Sequence, residues 1–154
     1  MSGEMSHEST FREVQRFRQR WLWAVVVGGG LVSAVAGGPV GVLVAAALVA
    51  FVWSLRLVTE VRDDGLYVRF APFHRSFRRV PWSAVESVES TRYRPLREYG
   101  GWGIRWRPRA VAFNVSGSRG VFVERPDDRD LLIGSQRPDE LATAIRKRWQ
   151  ETDR

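Results

Sequence analysis

WLWAVVVGGGLVSAVAGGPVGVLVAAALVAFVWSL, residues 21–55, is a run of thirty-five residues without a formal charge, bracketed by Arg20 and Arg56. As one straight helix it would be about 52 Å long at ~1.5 Å per residue, well beyond a hydrocarbon core of ~30 Å. Near its middle lies Gly37-Gly38-Pro39. The proline lacks a backbone donor and the glycines disfavour helix, so a break is expected there. The reading is a transmembrane hairpin over 21–57, with spans of about 21–36 and 40–57. Trp21, Trp23 and Trp53 fall at the ends that share one interface, as an aromatic belt requires. Small residues recur at four-residue spacing (Ala24/Gly28, Gly30/Ala34, Gly37/Gly41, Ala46/Ala50), which suits close packing of the two spans and equally a homo-oligomer. Gly28-Gly29-Gly30 is not a phosphate loop, because no Lys-Ser/Thr follows it.

Arginine sets the expected orientation. Arg12, Arg16, Arg18 and Arg20 precede the first span, Arg56 and Arg62 follow the second, and the connection between them is uncharged. Both termini are therefore expected in the cytoplasm of a multi-pass protein of the cell membrane. A signal peptide with Ala34-Val35-Ala36 as its cleavage site is the rival reading. It leaves the orientation of the later residues unchanged. Upstream, residues 1–10 are polar and expected to be disordered. Residues 11–20 (FREVQRFRQR) place Phe11, Val14 and Phe17 at helical spacing among arginines, which predicts a basic juxtamembrane helix.

The whole chain has 154 residues, room for one small domain and an appendage. Its net charge of +7 rests almost wholly on arginine, Lys147 being the sole lysine. In a soluble protein that charge points to nucleic acid; beside a membrane the positive-inside rule accounts for much of it, so no nucleic-acid partner is expected. There is no cysteine, which excludes disulfides and thiolate chemistry, and only His7 and His74 are available to a metal. No cofactor is expected. Nor is enzymatic activity, since no serine lies in a G-x-S-x-G setting, and Asp63/Asp64 and Asp127/Asp128 fall in turns.

From Leu57 the pattern becomes period-two alternation with turn punctuation. Strands are predicted over 57–61, 66–70, 76–80, 85–93, 103–107, 110–115, 121–124 and 131–133, with a short helical turn or bend over 81–84. A closing helix from Arg137 to about Trp149 turns Leu141, Ala144, Ile145, Arg148 and Trp149 to one side. This is an α+β chain in which seven or eight antiparallel strands form a small barrel or two-sheet sandwich plugged by a C-terminal helix. The stretches TEVRDDGLYV (59–68), YRPLREYGGWGIR (93–105), NVSGSRGV (114–121) and LIGSQRPDEL (132–141) resemble a family of small prokaryotic membrane proteins of unknown function. Over roughly residues 11–150 the resemblance implies a two-helix membrane hairpin joined to a bacterial pleckstrin-homology (PH)-like domain, here a cytoplasmic domain over 58–154.

The segment 91–109 is the candidate ligand-binding element. Arg92, Arg94, Arg97, Arg105, Arg107 and Arg109 are interleaved with Tyr93, Tyr99, Trp102 and Trp106. Guanidinium forks bind phosphate bidentately, and glycines 100, 101 and 103 let backbone N–H groups approach an anion. Contact with a ligand or headgroup is assigned to the six arginines and Trp102. The bland alternative is that the glycines make a bend, Trp102 and Trp106 fill the core, and the arginines are solvated or paired. His74, near Arg75 and Arg78, reads as a surface histidine. Three functions are weighed. The first is a membrane-anchored interaction module recruiting a protein or peptide. The second is binding of anionic lipid headgroups by the arginine-rich loop. The third is an accessory subunit of a transporter or envelope complex that uses the hairpin as its interface.

Overall fold

Phe11, Glu13 and Gln15 are buried, whereas Arg12, Val14 and Arg16 between them are exposed. That alternation makes Phe11–Arg16 a strand, β1, and overturns the juxtamembrane helix expected over residues 11–20. Its polar inward residues explain why helical spacing misled. Glu13 accepts from the Ser135 hydroxyl at 2.6 Å and the Gln136 N–H at 2.8 Å, while the Gln15 amide donates to the Gly134 carbonyl at 2.6 Å. Both face the interior, where another part of the chain meets the Glu13 carboxylate and the Gln15 amide N–H, although Gln15 Oε1 has no hydrogen-bond partner among the described residues.

The structure, a computed structural model, describes residues 10–152. The expected disordered tail lies outside these apart from Thr10, whose N–H bonds Val61 O at 2.9 Å. Helix α1 (Arg20–Ser54) follows β1 as one helical element in place of two separate spans. Its backbone is non-helical only at Gly38 (φ 53°, ψ −139°), so the break is narrower than residues 37–39. Pro39 becomes the first residue of the second arm, where a missing N–H costs little. The arms fold back on each other. The Trp23 and Trp53 rings stand 6.1 Å apart, where a straight helix would separate them by ~45 Å. A Cβ on Gly41 would overlap the Ser33 carbonyl, and one on Gly30 would meet Ala45 Cβ at 3.4 Å. Gly28 and Gly37 face open space.

Strands β2 (Arg56–Arg62), β3 (Gly65–Ala71) and β4 (Arg78–Pro81) complete a sheet in the order β1-β2-β3-β4. Arg56 and Leu57, expected at the end of a membrane span, belong to β2, and Leu57 is wholly buried in the sandwich core. The β-domain therefore begins at β1, not at residue 58, and α1 is an insertion between two paired strands. A 3-10 turn (Trp82–Ala84) leads to β5 (Ser87–Arg92), the short helix α2 (Pro95–Tyr99), β6 (Gly103–Trp106), β7 (Ala110–Asn114), β8 (Arg119–Glu124) and β9 (Asp130–Gly134). These strands form a second sheet in the order β5-β8-β9-β7-β6. Here β7 and β9 run parallel, which breaks the expected all-antiparallel pattern. No barrel closes among the described residues: β1 and β4 are outermost in the first sheet, β5 and β6 in the second.

Helix α3 (Pro138–Thr152) packs against β2, β3, β5 and β8, burying Leu141, Ala142 and Ile145 between the sheets. The core joins these to Leu57, Val61, Phe70, Trp82, Phe113 and Ile133. Trp82 is 2% exposed and its indole N–H reaches the Asp63 carbonyl at 2.9 Å, anchoring the bend after β4 to the β2–β3 turn.

Candidate functional site

The sandwich has two distinct ends. At one, the arms attach: the Gln19 amide donates to the Val115 carbonyl at 2.6 Å, and the Trp21 and Trp102 rings lie 5.9 Å apart. The opposite, far end carries the turns 63–64, 107–109 and 125–129. Strand β6 runs from one end to the other, since Gly103 pairs with Asn114 and Trp106 with Val111.

This divides the seven residues expected to form one anion site. Arg92, Arg94 and Trp102 belong to the arm end, where Arg92 stands opposite Arg119 in the β5–β8 pair and Arg94 precedes α2. Helix α2, which carries Arg97, reaches from there toward the far end, its Glu98 and Tyr99 lining one hollow with Arg107 and Arg109. Arg107 and Arg109 belong to the far end. Arg107 lies over the Tyr99 ring at 5.6 Å, and Arg109 contributes its carbonyl to the Asp130 N–H at 2.8 Å. Arg105 lies between them, its guanidinium packed over Gly101, where a Cβ would stand 2.9 Å from Nη2. Five residues of extended chain from Trp102 to Arg107 span roughly 17 Å. The glycines serve the bend: Gly100 takes the left-handed conformation that ends α2 (φ 70°), and Gly101 accommodates Arg105.

The two tryptophans of the segment also part. Trp102 is half-buried against Trp21, whereas Trp106 is 59% exposed. Trp106 is no core residue; it lies at the mouth of a cleft of about 360 Å³ between the outermost strands β4 and β6. Val68, Val80, Val111, Phe113 and Leu131 form its apolar walls. Arg78, Arg79, Arg125 and Arg129 surround it together with Asp128. Arg78 and Arg129 both lie over the Trp106 ring, at 5.9 and 5.6 Å from its centroid. Sequence reading missed this grouping because only tertiary folding brings residues 78, 106 and 129 together. An exposed tryptophan within period-two alternation was the available signal.

Titratable groups near these surfaces follow their surroundings. Tyr93 is buried beneath Gly134, and its phenol is pushed up to about 12, first by burial and then by Tyr99 against the opposing pull of Asn114. His74 is partly buried: its Nδ1 accepts the Phe70 N–H at 3.3 Å, and burial followed by Arg78 lowers its pKa. Among the described residues no group of His, Asp and Glu suited to hold a metal is assembled.

At the arm end an aromatic collar links arms to sandwich. Phe51 meets Phe73 at 6.1 Å, Phe73 meets Phe70 at 5.9 Å, and Phe70 meets Phe17 at 6.4 Å. Arg16 lies over Trp53 at 5.7 Å. Trp21, Trp53 and Phe73 stay exposed beside Arg18, Arg20 and Arg56, an apolar girdle with cationic neighbours. Among the described residues one helix, α1, is long and apolar enough to cross a membrane. Comparison with protein-family models, with curated proteins and with solved structures finds no match.

Proposed function

We propose that this chain is a membrane-anchored, non-enzymatic interaction module whose β-domain recruits a protein or peptide partner at the cytoplasmic face of the cell membrane. The observation that carries the reading is a register: Arg16, the last residue of β1, pairs with Arg56, the first of β2. The apolar insert leaves the sheet and returns to it at the same point. Any crossing of a bilayer is then matched by a return, and the sandwich stays on one side. The first arm rises ~27 Å from Arg20 to Gly38 and the second ~23 Å from Pro39 to Ser54, against a hydrocarbon core of ~30 Å. Arg16, Arg18, Arg20 and Arg56 at the attachment point favour the cytoplasmic side. The α+β sandwich with its C-terminal helix agrees with the PH-like resemblance in outline, while the parallel β7–β9 pair departs from the expected arrangement.

Two features favour a protein or peptide partner. The outer edges of β4 and β6 each lack a second strand among the described residues, and such edges accept an added strand. Docking through Gln19, Trp21 and Phe51 holds the domain at a set height over the bilayer, which raises its effective concentration toward membrane-bound partners. Headgroup binding is the second reading. It draws on Arg92, Arg94 and Trp102 at the arm end and on Arg97 of α2, with Arg105 between the ends and Arg107 and Arg109 at the far end.

Cross-linking of the intact protein in its native membrane, with identification of the captured proteins, tests the proposal. A partner that is captured, and is still captured after the arms are exchanged for an unrelated two-helix anchor, supports recruitment by the β-domain. Loss of the partner on that exchange favours the accessory-subunit reading, with the arms as interface. Failure to capture any protein sinks recruitment.

A further inference from the structure

We propose that the cleft between β4 and β6 binds an extended acidic segment of the partner, a deepening that rests on the interaction-module reading. Four arginines and one aspartate line the cleft. Two of the arginines are already committed, Arg79 to Asp64 at 3.1 Å and Arg125 to Asp128 at 3.0 Å. Arg78 and Arg129 are exposed and form no ion pair among the described residues. The Trp106 ring lies beside both guanidinium planes and leaves their N–H edges free for a carboxylate.

Strand β4 dictates the pattern of what binds. Arg78 and Val80, two residues apart, face the cleft on one side of the strand, while Arg79 reaches Asp64 in the β2–β3 turn. A strand added to this edge places a residue opposite each of them on the same face. An acidic residue opposite Arg78 and an apolar one opposite Val80 complement both, so the ligand motif is an acid and an aliphatic or aromatic residue two positions apart. The apolar walls receive the second side chain, a contact that a bare anion does not use. The floor at Arg125–Arg129 lies at the far end of the sandwich, away from the arms, which separates this site from the headgroups of the protein's own bilayer.

The test uses the full chain in lipid nanodiscs, screened against a random-peptide phage library, with inorganic phosphate as competitor. The expected result is enrichment of peptides carrying Asp or Glu two positions from an apolar residue. Their binding should fall about tenfold or more in the Arg78→Gln/Arg129→Gln double variant, the loss expected for a removed charge-assisted contact. The Arg75→Gln variant, outside the cleft, should retain it. Arg129→Gln alone, on a loop, provides the same readout should the double variant fold poorly. Enriched peptides without acidic residues, or binding indifferent to both substitutions, would overturn the proposal. So would displacement by phosphate at concentrations equal to those of the peptide, which would assign the cleft to a small anion. If no peptide is enriched but cross-linking still captures a partner, the acidic-segment site is lost and the recruitment reading stands.

Discussion

The arms and the sandwich are built from the same residues and treat them in opposite ways. Val35 on the first arm is 86% exposed, whereas Val121 in β8 is wholly buried. Leu43, Val40 and Val32 face outward along the arms, while Leu57, Leu66 and Ile133 vanish into the core. In the sandwich, apolar side chains are removed from water by each other. In the arms only Val26, Gly30, Gly41 and Val52 are buried, and the outward apolar residues belong to a helix long and apolar enough to cross a membrane, the surroundings proposed above. Burial in one region and exposure in the other thus reflect one physical preference met by two surroundings.

The contrast makes quantitative demands. The largest effect belongs to Trp82→Ala in the sandwich. Loss of a buried indole and of its bond to Asp63 should cost about 3–5 kcal/mol, read by denaturant unfolding in nanodiscs. A cost below about 1 kcal/mol would mean that this bend is not a core anchor. Next comes Tyr93. Its pKa is raised from 10.0 to about 12, so the fold favours the neutral phenol. That contribution is complete below pH 10 and is lost as pH climbs through 12, amounting to about 2–3 kcal/mol. Tyr93→Phe should remove most of the decline in stability over that window, leaving the smaller contributions of Tyr67 and Tyr99, also raised by burial. An unchanged alkaline profile would contradict the assignment. Smallest is Val35→Ala on the arm, expected to change sandwich stability by no more than about 0.5 kcal/mol. A loss comparable to that of Trp82 would show that Val35 is buried against something, and the comparison would fail.

Much of the sandwich was legible in the sequence. Asp63-Asp64-Gly65 marked the β2–β3 turn, Pro81-Trp82 the bend, and Arg137-Pro138-Asp139-Glu140 the start of α3. The uncharged run and its glycine–proline break were equally plain. What escaped was long-range. Phe11–Arg16 reads as helix when Phe11, Val14 and Phe17 are counted, because nothing local announces that Glu13 and the Gln15 amide N–H find partners in residues 134–136. Likewise, Arg148 at helical spacing suggested an apolar face, whereas it bonds Asp63 and Glu151 and donates to Thr10. The arginine-rich segment misled for a different reason. Its residues are neighbours in sequence, but an extended strand carries neighbours apart, and the cleft at Trp106 takes its arginines from β4 and the β8–β9 turn instead.

Paired membrane crossings are the central claim, and the cysteine-free chain suits a direct test. Single cysteines are placed at Val40, beside the break between the arms, and at Thr143, on the exposed side of α3, and intact cells are treated with a membrane-impermeant maleimide. The account predicts that Val40→Cys is labelled from outside, while Thr143→Cys reacts only after the membrane is permeabilised. Labelling of both positions in intact cells, or of Thr143→Cys alone, would contradict it.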